Sequence, residues 1–434
     1  MKKKRIVLGF GVSGRSCAEL LLKQGMLVFA LDSKAEILKN EPVILDLMKQ
    51  GVELASDLIS IDWTTIEQVI VSPGIAPSHP ILVQANENGV EIVGEIELAF
   101  RHLHNRCIGV TGTNGKTTVV MLIHHILKDA GYRSQALGNI GTSLSSYALA
   151  SNPEEILIVE LSSFQLETLF TKCLDMALIL NITPDHLDRY ASIEDYAKAK
   201  CRIELCLKND GEMWVSRQVA AEYGQLIHKA KLIEDIQWDQ SAVATISPMR
   251  YIQLGVPERQ NIQAAYAVCR YCGITDVQFW RGLETFRKPK HRIEFVGEWN
   301  GISFYNDSKA TNIDSVMHAV GLFEGSIVLL AGGVHKGWSY RPWIAAFRGK
   351  VRRIVAFGQA ASMIEEDLLG ELFVERVETL EQAVCSAVIN AEPQTVILLS
   401  PGCSSFDQFR NYEHRGNEFK RIVEEKVWIE RKRS

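Results

Sequence analysis

The chain has 434 residues, too many for one ordinary domain, and its 47% hydrophobic and 23% charged residues describe packed globular domains rather than a disordered polymer. A formal net charge of −5, with acids and bases interspersed, excludes a nucleic-acid binder as a whole and leaves room only for a local anion pocket. The 9 cysteines follow no framework spacing, which suits a reducing compartment, and no run reaches the length of a membrane span, so a cytoplasmic protein without membrane insertion is expected.

In chain order, the opening MKKKRIVLGFGVSGR does not fit a signal peptide. Its apolar run is short, is broken by Gly9 and Gly11, and meets Arg15 rather than a cleavage site. Arg5–Leu8 reads as a strand, Gly9-x-Gly11-x-x-Gly14 as a turn into a helix, and Leu27–Leu31 as a second strand ending at Asp32. That is a dinucleotide fingerprint, and by itself it predicts an NAD(P)- or FAD-dependent oxidoreductase. A second strand–glycine–helix unit follows. Cys107–Val110 leads into TGTNGKTT (Thr111–Thr118), after which Val119, Leu122, Ile123, Ile126, Leu127 and Ala130 repeat at helical spacing until Gly131. Ile156–Val159 reads as a strand ending at Glu160, and Ala177–Leu180 as an apolar run before the polar turn NITPDHLDRY (Asn181–Tyr190). Cys269 and Cys272 lie in an apolar helical run and read as buried thiols rather than zinc ligands. Ile302–Tyr305, Ile327–Leu330 and Arg353–Ala356 read as further strands, and Thr395–Leu399 runs into SPGCSSFDQF (Ser400–Phe409). Short β-rich runs alternating with amphipathic helices predict an α/β fold with mainly parallel sheets. Boundaries are expected near residues 96 and 289, giving segments 1–96, 97–289 and 290–434.

The chemistry concentrates at the second unit. Glycines exposing backbone amides at a strand-to-helix turn, with a lysine at the helix start, form an anion cradle. Gly112, Gly115, Lys116 and Thr117 supply those parts, with Lys116 placed for the transferred phosphate and the Thr117 hydroxyl for a magnesium ion. The loop departs from the generic pattern, whose first glycine would fall at Val110.

TGTNGKTT resembles the shortened phosphate loop of the Mur ligases and folylpolyglutamate synthetases, and NITPDHLDRY, YAKAKCRIE (Tyr196–Glu204), YNDSKATN (Tyr305–Asn312) and LLSPGCSSFDQFRNYEHRG (Leu398–Gly416) resemble further Mur ligase motifs. The resemblance covers essentially the whole chain. It implies a Rossmann-like N-terminal domain for the UDP end of the substrate, a central P-loop ATPase-like domain and a Rossmann-like C-terminal domain. It further implies ATP-dependent amide ligation through an acyl phosphate, joining D-glutamate to UDP-N-acetylmuramoyl-L-alanine in peptidoglycan precursor synthesis, by a monomer. Another amino acid within the family is the nearer alternative. A non-catalytic nucleotide-gated binding protein is a third reading, and the presence of Lys116, Glu160, His186 and Lys200 speaks against it.

Residue by residue, the resemblance assigns Gly112, Thr113, Asn114, Gly115, Lys116, Thr117 and Thr118, with Asn261, Arg292 and Asp307, to ATP. It assigns Thr117, Glu160, His186 and Lys200 to two Mg²⁺ ions, Lys200 matching the lysine that is carbamylated in these ligases. Lys198 is the rival by position alone. Lys116, His186 and Lys200 are the expected catalytic set. Val12, Ser13, Asp32, Ser33, Lys34, Asn139, Ser162 and Gln165 are expected around the UDP-linked substrate, and Lys309, Thr311, Lys336, Ser405 and Tyr412 around the amino acid. Val334 stands where the family more often carries an acid.

Overall fold

A computed structural model describes residues 3–187, 189–236, 256–389 and 391–425. Within them the chain forms three sheets, each built from short apolar strands joined by amphipathic helices. The first contains β1 (Lys4–Leu8), β2 (Leu27–Leu31), β3 (Val52–Ala55), β4 (Ile66–Val71) and β5 (Glu91–Gly94). All its pairings are parallel, in the order β3-β2-β1-β4-β5. The second contains β6 (Arg106–Thr111), β7 (Ser134–Gly138), β8 (Ile156–Glu160), β9 (Leu174–Ile179), β10 (Leu207–Val215) and β11 (Lys231–Leu232). It too is parallel, in the order β11-β10-β9-β6-β8-β7. The third contains β12 (Glu294–Trp299), β13 (Ile302–Asn306), β14 (Ile327–Gly332), β15 (Val351–Phe357), β16 (Val374–Val377) and β17 (Val396–Leu399), in the order β12-β13-β17-β14-β15-β16.

Parallel strands covered by helices on both faces should be apolar throughout, not alternating. β8 and β14 are buried at every residue, and separate apolar clusters fill the two faces of the first and third sheets. The antiparallel edge strand β12 was not expected. It is joined to β13 by Asn300-Gly301, whose φ values of +50° and +74° are those of a tight two-residue hairpin.

In each sheet the expected function-bearing loops leave the carboxyl ends of strands, and in the first the strand order reverses beside β1, between β1 and β4. There Gly9 takes φ +86°, and a Cβ at Gly14 would sit 2.0 Å from the Gly9 carbonyl oxygen, so the loop and the helix Val12–Lys23 can approach only without side chains.

The described chain divides into two compact units. One holds 1–182 and 194–286, with the first two sheets; the other holds 183–193 and 287–434, with the third. Inside the first unit the short helix Glu95–Phe100 ties the two sheets together. The Glu97 carboxylate accepts Phe170 N, Thr171 N and the Thr171 hydroxyl at 2.8–2.9 Å. Cys269 and Cys272 are buried as read, and burial pushes both thiols up.

Candidate functional site

In the first unit, β6 ends at Thr111 and the chain turns through Gly112 (φ +152°) and Gly115 (φ +84°) into the helix Lys116–Asp129. Gly115 is the helix N-cap and offers no side chain, so the first-turn amides are left for a ligand. A Cβ there would lie 2.3 Å from Asn261 Oδ1, which sets Asn261 directly against the loop. Beyond it a recess is lined by Leu180, Asn181, Ser216, Gln260 and Asn261. Val119, Leu122, Ile123, Ile126 and Leu127 anchor the helix in the core. Asn181 shapes the loop from the end of β9: Asn114 N donates to its Oδ1 (2.7 Å), its Nδ2 donates to Asn114 O (3.1 Å), and Thr113 N donates to its carbonyl (2.9 Å).

Cations and hard oxygen donors converge on this turn. Lys116 Nζ donates to the carbonyls of Gly112 and Thr113, each at 2.8 Å. Lys200 Nζ donates to the same Gly112 carbonyl at 2.8 Å and lies 4.5 Å from the Tyr196 ring centre, in a side chain only 1% exposed. Lys198, by contrast, is exposed and pairs with Asp195 at 2.9 Å. Burial thus separates two lysines that sequence position alone left open. The Thr117 hydroxyl donates to Glu160 Oε2 (2.8 Å), and Asn139 Nδ2 donates to Glu160 Oε1 (3.0 Å). Glu160 is 1% exposed, and a buried carboxylate with a hydroxyl beside it is a donor set suited to Mg²⁺. Among the described residues no cluster of three or more His, Cys, Asp or Glu side chains forms a ready cation cage.

Other expected contacts have structural work of their own. Ser162 and Gln165 form a capping box that opens the helix Ser163–Glu167. Asp32 Oδ2 accepts Phe10 N (2.7 Å) and so braces the first glycine loop, while its Oδ1 accepts Lys34 N (2.8 Å) in the turn that follows β2. Val12, Ser33 and Lys34 are exposed and Ser13 half-buried around that loop.

The second unit carries a separate group of polar residues. His186 has φ +55°; its amide donates to Asp185 Oδ1 (2.9 Å), and its Nε2 lies 3.7 Å from Asp185 Oδ2. Asp185 also receives Lys336 Nζ (3.4 Å) and Asn312 Nδ2 (3.3 Å), all three side chains being buried. Lys309 Nζ lies 3.9 Å from the Tyr412 ring centre, a close cation–π contact. Thr311 is half-buried and Ser405 buried in neighbouring loops of the same unit. Asp307 is buried and accepts the Ser400 hydroxyl (2.9 Å) and Ile293 N (3.2 Å). Burial pushes its carboxyl up to about 7, against the pull of Ser400 and the Arg292 charge. Asn181, Asp185, Asn312 and Tyr196 are polar neighbours that no motif assignment covered. All four lie inside quoted motifs, so the available signal was their place beside assigned residues.

Comparison with known proteins follows the same division. The family model described as the Mur ligase MurD-like N-terminal domain matches residues 3–94, the Mur ligase middle domain 110–234, and the Mur ligase glutamate ligase domain 291–403. The UDP-N-acetylmuramoylalanine–D-glutamate ligase of Protochlamydia amoebophila is 44% identical over 433 residues, covering 97% of this chain and 98% of that one. The enzyme of the same name from Acidobacterium capsulatum is 37% identical, covering 97% and 96%. The crystal structure of MurF ligase from Thermotoga maritima in complex with ADP covers 85% of this chain and 98% of its own, with TM-score 0.57 and 15% identity, a likeness of fold alone.

Proposed function

The chain belongs to the Mur ligase family, and on that premise we propose that it is an ATP-dependent ligase joining D-glutamate to UDP-N-acetylmuramoyl-L-alanine in peptidoglycan precursor synthesis. The observation that carries the reading is the meeting of Lys116 and Lys200 on one carbonyl of the phosphate loop, beside the Thr117–Glu160 pair. Family membership displaces the oxidoreductase reading of the N-terminal glycines.

In the proposed reaction a carboxylate oxygen of the alanine attacks the γ-phosphorus of ATP, ADP leaves, and an acyl phosphate forms. The amine of D-glutamate then attacks the acyl carbon, the carbon–oxygen bond to phosphate breaks, and the nitrogen sheds a proton. Two anions must approach, so the chain's task is to neutralise and align them. Loop amides from Thr113 to Thr118 receive phosphate oxygens, and Lys116 leaves its carbonyls to pair with the transferred phosphoryl group. Asn261 borders the recess beside the loop, where a nucleotide base would lie, and Arg292 and Asp307 are assigned to further nucleotide contacts.

Thr117, Glu160 and Lys200 would hold Mg²⁺, and His186 keeps its family-implied metal role. When bound, Mg²⁺ offsets negative charge on the phosphoryl oxygens. Lys200 as an ammonium would repel such an ion, whereas its carbamate, formed when the neutral amine attacks the carbon of carbon dioxide and sheds a proton, would present two anionic oxygens. Residues 1–96 are assigned to the UDP end, through Val12, Ser13, Asp32, Ser33 and Lys34; Asn139, Ser162 and Gln165 are assigned to the same substrate from the central segment. Residues 97–289 are assigned to ATP, and 290–434 to the amino acid through Lys309, Thr311, Lys336, Ser405 and Tyr412. We further assign the enzyme to the cytoplasm as a monomer; among the described residues no helix is long and apolar enough to cross a membrane.

The test is phosphate release from ATP and UDP-N-acetylmuramoyl-L-alanine against a panel of amino acids. Release that requires D-glutamate supports the reading. Release with a different amino acid alone, or none with any, overturns it.

A further inference from the structure

Arg415 lies in the helix Tyr412–Ile422, one turn beyond Tyr412, and is 0% exposed. Its hydrogen bonds reach carbonyls and one hydroxyl, never a carboxylate. Nε donates to Ser308 Oγ (3.0 Å) and Nη2 to Ser308 O (2.9 Å) and Cys403 O (3.1 Å). Nη1 donates to Cys403 O (3.1 Å), Gly332 O (3.3 Å) and Ser404 O (3.4 Å). Removing a guanidinium from water without a bonded counter-ion is costly, and an apolar side chain would fill the same space at less expense. What the apolar side chain could not do is span three loops at once, which the planar fork does.

Those loops leave the carboxyl ends of β13, β14 and β17. Each carries a residue assigned above to the amino acid. Ser308 precedes Lys309, Gly332 opens the loop that holds Lys336, and Ser404 precedes Ser405. Tyr412, also assigned to the amino acid, sits on Arg415's own helix, and its carbonyl accepts the Ser308 hydroxyl at 2.9 Å. A backbone bridge adds a second stitch: Val334 N donates to Ser404 O (2.8 Å) and Ser404 N to Val334 O (3.1 Å). The main chain alone makes that bridge, so it does not depend on the side chain at 334. Gly333, at φ +130°, permits the approach, since a Cβ there would lie 2.0 Å from Ser404 O and 3.1 Å from Arg415 Nη1.

We propose that Arg415 is the positioning residue of the amino-acid site, clamping the loops that carry Lys309, Lys336 and Ser405 against Tyr412 while touching no substrate itself. This rests on the ligase reading, and wild-type turnover with D-glutamate is therefore measured first. Absence of that turnover sinks the ligase reading rather than the clamp.

With an active wild type, Arg415→Lys keeps the charge but not the fork. It is expected to raise KM for D-glutamate about tenfold or more while leaving KM for ATP and for the UDP-linked acceptor within about twofold. In Arg415→Ala, millimolar guanidinium chloride is expected to restore part of the D-glutamate kcat/KM. An unchanged D-glutamate KM in Arg415→Lys, or equal loss for all three substrates without guanidinium rescue, overturns the proposal. Should Arg415 variants fail to fold, Ser308→Ala removes one acceptor and keeps the guanidinium. A selective rise of about threefold in D-glutamate KM is then expected, and an unchanged value overturns the proposal.

Discussion

The phosphate loop and the cation group of the second unit, each assigned to an anionic ligand, have opposite constructions. The loop is local. Residues 111–118 supply its amides and Lys116, and the partners from elsewhere in the unit (Asn181, Glu160, Lys200 and Asn261) attach to a turn whose shape the glycines already set. The second group has no such turn. Lys336 meets Asp185 across 151 positions of sequence, and Lys309 meets Tyr412 where Arg415, 107 positions from Ser308, hydrogen-bonds three loop ends. A local site should therefore fail when its own charge is removed. A dispersed site should fail when its scaffold is disturbed.

The largest effect is expected at the loop. Lys116→Ala removes the cation assigned to the transferred phosphoryl group and should lower kcat for ADP formation about a thousandfold or more. A loss under tenfold would show that the turn's amides suffice. Next in size, Lys200→Ala should be nearly inactive and regain activity with acetate or formate, which can replace carbamate oxygens. Lys198→Ala should stay within about twofold, because its partner Asp195 and its exposure place it in solvent. Equal losses at the two lysines would erase the distinction drawn from burial.

The second unit should show its character in stability against pH. The ordinary Asp value is 3.8, and burial moves Asp307 to about 7. Between those values the folded protein holds a proton that the unfolded chain has released, so stability falls as pH climbs through the window and the contribution is gone above it. Asp307→Asn carries no such proton. From about pH 4 to 7.5 the wild-type Tm should therefore fall more steeply than that of the variant, and parallel curves would contradict the raised carboxyl. The smallest effect is expected at Ser162. Its hydroxyl caps the helix Ser163–Glu167, so Ser162→Ala costs about 1 kcal/mol of stability, and as a residue assigned to the UDP-linked substrate it also raises that KM about threefold. An unchanged KM would leave Ser162 as a helix cap alone.

How much could be read from the sequence follows the same contrast. Strands at 5–8, 27–31, 156–159, 302–305, 327–330 and 353–356 all lie within observed strands, and the helix after the phosphate loop ends before Gly131, because apolar periodicity and glycine punctuation are local signals. The Asn300-Gly301 hairpin was legible by the same logic, but the strand before it alternates little in burial, and only its partner was recognised. Spacing alone left Lys198 and Lys200 as rivals and only the motif register chose Lys200, which the fold buries while Lys198 stays exposed. Neither signal could reveal the Asp185–Lys336 pair or the Arg415 clamp. These bring together side chains from separate loops, and no spacing along the chain encodes such a meeting.

In the proposed mechanism the alanine carboxylate is activated as an acyl phosphate before the amine attacks. That activation is tested most directly with UDP-N-acetylmuramoyl-L-alanine carrying ¹⁸O in both carboxyl oxygens, turned over with ATP and D-glutamate. The mechanism predicts one labelled oxygen in the released phosphate and the other in the new amide carbonyl. Phosphate free of label alongside a normal amide product would contradict it.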